Sequence, residues 1–257
     1  MARIFITGSS DGIGLGVAKI LADQGHSVVL HARNAERAAS TQRAVPKAEA
    51  VLVGDLRSIS ETKKLAQEAN ALGNGIFDAI IHNAGIGYGT TSSREITADK
   101  ISAVFAVNTL APYILTCQMK RPTSRLLYMS SDSHYGGDES LRNMTQSHSY
   151  SDSKLHDVML ANAFARRWGK DIQVVSMHPG WVRTKMGGSM APGGLDEPTQ
   201  ALAEWAIGKG KLASLPSGTF FTTRGAQSAH SGAGNVNKHE ELLNTCQEVS
   251  GVAVPGE

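Results

Sequence analysis

A glycine-rich turn between an apolar run and a helical pattern constrains the fold of this chain more than any other segment. Residues 4–7 are largely apolar, and the turn that follows reads Gly8-Ser9-Ser10-Asp11-Gly12-Ile13-Gly14. Apolar residues then recur at helical spacing up to Leu21, and Gly25 ends the helix. Glycines let a backbone turn sharply and approach a bulky anion, and a helix N-terminus offers free N–H groups and a positive dipole end. The segment therefore predicts a strand, a phosphate-binding turn and a helix.

Six further apolar runs follow the first, and stretches with helical spacing separate them. The seven predicted strands cover residues 4–7, 28–31, 51–53, 79–82, 126–129, 174–177 and 219–222. Alternating strands and helices form right-handed βαβ units, which build a parallel sheet with helices on both faces. We therefore predict a single α/β domain over residues 1–257, with a Rossmann-type, doubly wound, mostly parallel sheet of seven strands. The small and polar stretches near the end predict a surface tail over about residues 228–257.

Composition excludes several classes of protein. The chain has 257 residues, 41% hydrophobic and 19% charged, with a net charge of +2 and no basic run, which gives no support for nucleic-acid binding. No apolar stretch reaches the length of a membrane span, and no signal peptide precedes the first strand. Cys117 and Cys246 lie far apart in sequence and are interpreted as buried thiols. Neither His-Glu-x-x-His nor paired cysteines occur, so no metal site is predicted. We expect a cytoplasmic protein.

Tyr150 and Lys154 are spaced so that a helix would place both side chains on one face, one turn apart. A phenol ordinarily keeps its proton up to a pH near about 10. A neighbouring ammonium group favours the phenolate and lowers the pKa of the tyrosine. The pair is therefore suited to general acid–base chemistry, although the same spacing also occurs on ordinary helix surfaces.

Three further predicted strands end in segments that suit ligand binding. Asn83-Ala84-Gly85 follows the fourth strand, Ser130-Ser131 the fifth, and Pro179-Gly180 the sixth. Ligands of open α/β sheets bind outside the carboxyl ends of the strands, where these segments meet. A serine there can orient a substrate carbonyl, and a proline–glycine turn lets the backbone approach a flat ring.

Together these motifs resemble those of the short-chain dehydrogenase/reductase family in their order and near-family spacing. The resemblance covers about residues 3–225 and includes the spacing Gly-x-x-x-Gly-x-Gly of the first turn. Two finer likenesses exist. The segment over residues 132–149 is longer than is common in the family and resembles retinol-dehydrogenase-like members. The run over residues 178–188 resembles that of small cytosolic carbonyl reductases.

The resemblance implies a dinucleotide site. Its expected members are Gly8, Ser10, Asp11, Gly12, Ile13, Gly14, Arg33, Asp55, Leu56, Asn83, Ala84, Gly85, Tyr150, Lys154, Pro179, Gly180, Val182 and Thr184. By family analogy Asp55 contacts the adenine, Asn83 to Gly85 pack on its ribose, Pro179-Gly180 line the nicotinamide, and Thr184 reaches the carboxamide.

We expect NADP(H) rather than NAD(H) as the cofactor. Sites for NAD usually have an acid at the end of the second strand, whereas here Ala32 stands there and Arg33 follows. An arginine offers a planar, permanently charged fork for a 2′-phosphate. Asp11 argues mildly against this, because many NADP members of the family have a basic residue just before the second glycine.

The same resemblance implies a catalytic set of Asn108, Ser131, Tyr150 and Lys154. Ser131 would hold the substrate carbonyl, Tyr150 would move the proton, and Lys154 would lower the pKa of Tyr150 and bind the nicotinamide ribose. Asn108 would bend its helix and hold a water linked to Lys154. Each residue also has an ordinary structural interpretation, such as a helix cap for Ser131.

Two segments depart from the commonest family pattern. The long insert contains His134 and His148, which we interpret as exposed loop residues, with substrate contact as the alternative. Residues 185–195 contain four glycines and two methionines. Such a composition suits a mobile apolar lid, with a disordered surface loop as the alternative. His178 is interpreted as a structural residue at the end of a strand.

The sequence thus predicts an NADPH-dependent reductase that converts a carbonyl of a small organic molecule into an alcohol, reversibly. One alternative is a biosynthetic enzyme of the same fold that acts on an imine or an activated double bond, or by non-redox elimination. A second is a non-catalytic dinucleotide-sensing protein, although such members usually lose the tyrosine or the lysine. The family resemblance also suggests a homodimer or homotetramer.

Overall fold

Seven parallel strands and one antiparallel edge strand form a single sheet in a computed structural model, which describes residues 1–91 and 95–256. The strands are β1 (Arg3–Ile6), β2 (Ser27–Ala32), β3 (Ala50–Val53), β4 (Ala79–His82), β5 (Arg125–Met129), β6 (Gln173–Met177), β7 (Phe220–Thr222) and β8 (Gly225–Gln227). The α-helices are α1 (Gly12–Asp23), α2 (Ala35–Ala44), α3 (Ile59–Ala71), α4 (Ala103–Phe105), α5 (Ala111–Gln118), α6 (Tyr150–Trp168), α7 (Asp196–Ala206) and α8 (Val236–Ser250).

The strand order β3-β2-β1-β4-β5-β6-β7-β8 confirms the predicted doubly wound α/β fold. The chain winds outward from β1 to β3, then returns and winds the other way from β4. The switch between β1 and β4 leaves a crevice at the carboxyl ends of the strands, where ligands bind in sheets of this kind.

The predicted number of strands is wrong by one. β8 (Gly225–Gln227) pairs with β7 in the antiparallel direction and forms the edge of the sheet. It has three residues, Gly-Ala-Gln, without the apolar alternation that marks a strand in sequence. Pairing with β7, rather than any local pattern, makes this segment a strand.

The core lies on both faces of the sheet because alternate strand residues point to opposite sides. In β5, Leu126 and Tyr128 pack with α3, α5, α6 and α8, whereas Leu127 and Met129 pack with α1 and α7. Both faces are fully buried along the central strands. Within the described residues, no helix is long and apolar enough to cross a membrane.

Half of the predicted polar tail is a helix, α8. α8 packs on α6, and its residues Leu242, Leu243 and Cys246 are buried. Apolar residues spaced by three and four form one buried stripe on an otherwise polar helix, so composition alone concealed this element. Glu257, the last residue of the predicted tail, lies outside the described residues.

Candidate active site

The glycine turn after β1 packs directly against the segment that follows β4. Gly8 has a φ of +61°, and a Cβ there would lie 2.7 Å from the Cα of Ala84. A Cβ at Gly14 would lie 2.5 Å from the side-chain nitrogen of Asn83. Asp11 is the N-cap of α1, and its side chain makes no capping bond within the described chain. The turn therefore excludes side chains and leaves the first N–H groups of α1 uncapped, which fits a pyrophosphate.

Asn83 and Thr7 hold the two segments of this turn together. The Nδ2 atom of Asn83 donates to the carbonyl oxygens of Thr7 at 2.9 Å and Gly8 at 3.1 Å. The Thr7 hydroxyl accepts from the N–H groups of Asn83 and Ala84, both at 3.0 Å. β4 is thus tied to β1 at the switch point. Sequence reasoning singled out Asn83 but gave Thr7 no role.

His31, near the end of β2, forms a hydrogen bond to the same glycine turn. Sequence reasoning did not identify this residue. The ring is buried; its Nδ1 accepts the Gly8 N–H at 3.0 Å, and its Nε2 lies 2.8 Å from the Gly54 carbonyl oxygen. Because Nδ1 accepts, the hydrogen is on Nε2 and the ring is neutral. Burial lowers the pKa of His31, against smaller raising effects of Gly54 and Asp55.

Arg37, which sequence reasoning did not identify, lies at the mouth of the glycine turn. The Asn34 side chain caps α2 by accepting the Arg37 N–H, and the half-buried Arg37 guanidinium lies 2.5 Å from the Asp11 carboxylate. It also donates to the Ser10 hydroxyl at 3.0 Å. Arg33, the residue predicted from sequence, is exposed. The sequence predicted an arginine near the end of β2. Only the position of the first turn of α2 shows that the Arg37 side chain points toward the glycine turn.

Asp55 and Leu56 lie beside this site, after β3. The Asp55 carboxylate accepts the N–H of Arg57 at 3.0 Å, and its own N–H donates to Glu61 at 2.8 Å. Leu56 is buried in the core. The local role of Asp55 is therefore to close a turn, and it leaves a half-buried carboxylate near the end of β3.

The segment after β6 reaches across to the glycine turn. Gly180 has a φ of +94°, and Val182 is buried behind it. The methyl group of Thr184 would lie 3.4 Å from a Cβ at Gly12, and Lys185 lies 3.1 Å from the Asp11 carboxylate. Pro179, which precedes Gly180, is half-buried. The predicted nicotinamide and phosphate ends of the site thus face one another.

The predicted lid folds back on its own start. The Trp181 Nε1 donates to the Gly187 carbonyl oxygen at 2.9 Å, and Gly187 donates to the Thr184 hydroxyl at 3.0 Å. Val182 and Gly193 form an isolated parallel bridge. Met190 and Trp181 remain exposed. The loop therefore has a defined path, and two of its apolar side chains are exposed to solvent.

A capping box sets the position of Tyr150. The Ser149 hydroxyl accepts the Asp152 N–H, and the Asp152 carboxylate accepts the Ser149 N–H, both at 3.0 Å. Tyr150 is then the first residue of α6, with Lys154 one turn further on. The Lys154 Nζ lies 5.5 Å from the centroid of the Tyr150 ring. Tyr88 also packs on Tyr150, with ring centroids 4.9 Å apart.

Lys154 is fully buried and paired with a residue that sequence reasoning missed. Its Nζ donates to the Met129 carbonyl oxygen at 2.7 Å and to the Asp157 carboxylate at 2.8 Å. The exposed fractions of the two side chains are 4% and 3%. A signal was present, because Asp157 lies three residues after Lys154, which places the two side chains on one face of a helix.

The pKa of Tyr150 reflects opposing influences. Burial raises it most, the Lys154 charge lowers it, and the Asp157 charge raises it again; Ser131 lowers it by hydrogen bonding and Tyr88 raises it slightly. The net shift is upward. In this arrangement the phenol keeps its proton more firmly than an isolated tyrosine–lysine pair would.

Asn108 lies in a π-helical turn, Ala106–Leu110, between α4 and α5. Its side chain accepts the Ile86 N–H and donates to the Ile86 carbonyl oxygen, both at 2.8 Å, and also donates to the Ser153 hydroxyl at 2.9 Å. A Cβ on Gly85 would lie 3.6 Å from both the Asn108 Oδ1 and the Lys154 Nζ. Asn108 therefore joins the segment after β4 to α6 beside the lysine.

Ser131 caps a short 3₁₀ helix, Asp132–Gly136, at the end of β5. Its hydroxyl donates to Asp132 at 3.0 Å and accepts the Ser133 N–H at 3.1 Å. It is half-buried and faces the Tyr150 side of the cleft. Ser130, the other serine at the end of β5, is buried and donates to the Lys154 carbonyl oxygen at 2.7 Å.

The interpretation of His134 and His148 as exposed loop residues is wrong. His134 is fully buried: its Nδ1 donates to the Ser131 carbonyl oxygen at 2.6 Å, and its Nε2 accepts the His230 N–H. His148 is 2% exposed, with its ring 4.7 Å from that of His156. The long insert folds against α6 rather than outward, which buries both rings.

Comparison with known proteins gives consistent matches. A model of the short chain dehydrogenase family matches residues 2–193. The chain is 77% identical over 256 residues to "Uncharacterized oxidoreductase AN7799" of Emericella nidulans, covering 100% of both chains. It is 36% identical to the short-chain dehydrogenase chry4 of Gibberella zeae, covering 99% of both. An NADPH-bound carbonyl reductase from chicken fatty liver has a similar fold, with a TM-score of 0.69 and 24% identity over 89% of this chain and 99% of that one.

Proposed function

This chain belongs to the short-chain dehydrogenase family, and from that membership we propose that it is an NADPH-dependent oxidoreductase that reduces a carbonyl group. The substrate would be a ketone or aldehyde group of a small organic molecule, and the product an alcohol. The observation that carries the proposal is the arrangement of Tyr150, Lys154 and Ser131. A phenol and a buried ammonium share one turn of α6, and a strand-end hydroxyl lies beside the phenol.

The cofactor would lie in the crevice between β1 and β4. The glycine turn and the uncapped start of α1 suit its pyrophosphate, because the first N–H groups of α1 stay free there. A Cβ at Gly8 or Gly14 would collide with Ala84 or Asn83, so the turn can keep its close packing only with glycines. Arg37 and Arg33 supply positive charge after β2, and Ala32 stands at the strand end where sites for NAD usually have an acid. This charge favours a cofactor with a 2′-phosphate.

Bound NADPH would supply the hydride to the carbonyl carbon. The Ser131 hydroxyl would donate a hydrogen bond to the carbonyl oxygen and orient it. The Tyr150 hydroxyl would give its proton to that oxygen as negative charge develops there. Lys154 would stabilise the resulting phenolate, and Asn108 would hold the segment after β4 against α6.

A Tyr150→Phe variant tests the proposal. We expect NADPH oxidation with a panel of ketones and aldehydes to fall to background, while NADPH binding measured by nucleotide fluorescence stays unchanged. Tyr135→Phe is a matched control, since the Tyr135 hydroxyl is bound to the Ser228 carbonyl oxygen and is assigned no proton transfer. Full activity of Tyr150→Phe would overturn the proposal. Imines and activated double bonds in the panel distinguish carbonyl reduction from the related reactions.

A further inference from the structure

The buried ion pair of Lys154 and Asp157 carries an inference that rests on the proposed function and deepens it. We propose that Asp157 is a positioning residue that balances the charge of Lys154 and thereby extends to higher pH the range over which Tyr150 keeps its proton. The site would then rest in the state that donates a proton, which is the state that carbonyl reduction requires.

The geometry fixes Lys154 on two sides. The Asp157 carboxylate accepts one of its N–H groups at 2.8 Å, and the Met129 carbonyl oxygen accepts another at 2.7 Å. An ammonium group has three N–H donors. Among the described residues these two bonds leave one donor, in the space near Gly85 and Asn108, for a ligand. Asp157 thus directs the remaining donor of Lys154 into the cleft.

Because the pair is buried, the balance of charge between Lys154 and Asp157 acts strongly on Tyr150. With both side chains almost fully enclosed, a lone ammonium group at this position would be costly, and its field would reach Tyr150 with little screening. Burial alone would lower the pKa of Lys154, but Asp157 and Tyr150 raise it, and the net shift is upward. The carboxylate therefore keeps the lysine charged while it offsets the effect of that charge on the phenol.

Among the described residues, tyrosines and a histidine surround the pair. From β5, the buried Tyr128 faces Asp157 and has its pKa raised chiefly by burial. From β4, the ring of His82 lies 5.1 Å from that of Tyr128, and burial lowers the pKa of His82 to about 3. From the loop after β4, Tyr88 contacts Tyr150. Asp157 is accordingly the carboxylate, among the described residues, whose negative charge opposes Lys154 at this site.

An Asp157→Asn variant separates charge from hydrogen bonding, because the amide oxygen can still accept from Lys154. We expect the titration of Tyr150 to move about one pH unit lower, the size of shift that one nearby charge commonly causes. The pH above which kcat/KM for reduction declines should also move lower. Asp171→Asn removes a carboxylate from an exposed pair with Arg121 and should leave both measurements unchanged.

The Tyr150 titration can be followed without turnover. NMR of protein with ¹³C at the tyrosine Cζ reports each phenolate, and comparison with Tyr150→Phe assigns the signal of interest. A shifted titration supports the role of Asp157 even if no substrate turns over, in which case the proposed function alone fails. Turnover with the same Tyr150 titration in wild type and Asp157→Asn would overturn the role of Asp157.

The wild-type protein gives a second test if Asp157→Asn does not fold. With Lys154 balanced by Asp157, the Tyr150 signal of the cofactor-free protein should not titrate below a pH of about 10, the ordinary tyrosine value. A midpoint well below that value would show that Lys154 acts on Tyr150 unopposed, and would overturn the proposal.

Discussion

The Arg37 guanidinium lies 2.5 Å from the Asp11 carboxylate, and this ion pair joins α2 to the N-cap of α1. Lys185, from the loop after β6, lies 3.1 Å from the same carboxylate. Two cations thus meet one anion at the mouth of the glycine turn. The excess positive charge is available to a phosphate, and it offsets Asp11, which by itself would repel one.

We predict that Arg37→Ala raises the Kd for NADPH at least about tenfold, because a charge-assisted bond to a 2′-phosphate is lost. The Kd for NADH should change little, since NADH has no such phosphate. Nucleotide fluorescence titration of both cofactors measures the difference.

Variants of two other arginines test whether the effect is specific to Arg37. Arg43→Ala removes an exposed cation from the last turn of α2 and serves as the control for net charge. Arg33→Ala tests the residue that sequence indicated. Equal losses for NADPH and NADH in Arg37→Ala, or a loss confined to Arg33→Ala, would contradict the assignment to Arg37.

The sequence predicted the fold well where a local pattern determines structure. The seven parallel strands are short apolar runs, and the glycine turn needs its residue types whatever surrounds it. Tyr150 and Lys154 are on one helix, so their spacing alone predicts their proximity.

Features that depend on packing between distant segments could not be predicted in the same way. The inward turn of Arg37 depends on the Asn34 cap, and burial of His134 depends on the path of the insert against α6. The pairing of Asp157 with Lys154 follows from their spacing, but its isolation from solvent follows only from the packed core around it.

We predict that His31→Phe weakens NADPH binding about tenfold and destabilises the fold by about 1–3 kcal/mol. The variant leaves the Gly8 N–H and the Gly54 carbonyl oxygen without their buried partner, so the glycine turn loses its support. Nucleotide titration and urea unfolding measure the two effects.

His26→Phe is the matched control for this variant. His26 lies just before β2, at the end of the strand opposite to His31, and its ring accepts the Ala2 N–H at 3.1 Å. It should alter stability without changing cofactor affinity. If His31→Phe bound NADPH as tightly as the wild type, the supporting role of His31 would be refuted.

Stability should decrease in acid because several histidines are buried in the neutral form. Burial lowers the pKa of His82 to about 3 and that of His148 to about 4, below the ordinary value of 6.5. As the pH falls below 6.5, these histidines bind protons in the unfolded chain but stay neutral in the folded chain. The free energy of unfolding therefore falls. Each pH unit between the two values costs up to about 1.4 kcal/mol per histidine.

Urea midpoints measured between neutral pH and about pH 4.5 check this prediction. His148→Phe removes one titrating group while keeping a ring against Phe105, so its midpoint should depend less steeply on pH. A wild-type midpoint that stays constant over this range would contradict the neutral, buried state of these histidines.

Gly87 should control the position of the Tyr150 ring. A Cβ at Gly87 would lie 2.4 Å from the Tyr150 Cδ2, so the ring must move in Gly87→Ala. We expect kcat to fall roughly a hundredfold, the cost of misplacing a reacting group by about an ångström, with the Kd for NADPH unchanged. Gly234→Ala is the control, because no atom of the described residues lies within 4 Å of its Cβ. Wild-type kcat in Gly87→Ala would show that the proton transfer tolerates a displaced ring, and would argue against Tyr150 as the proton donor.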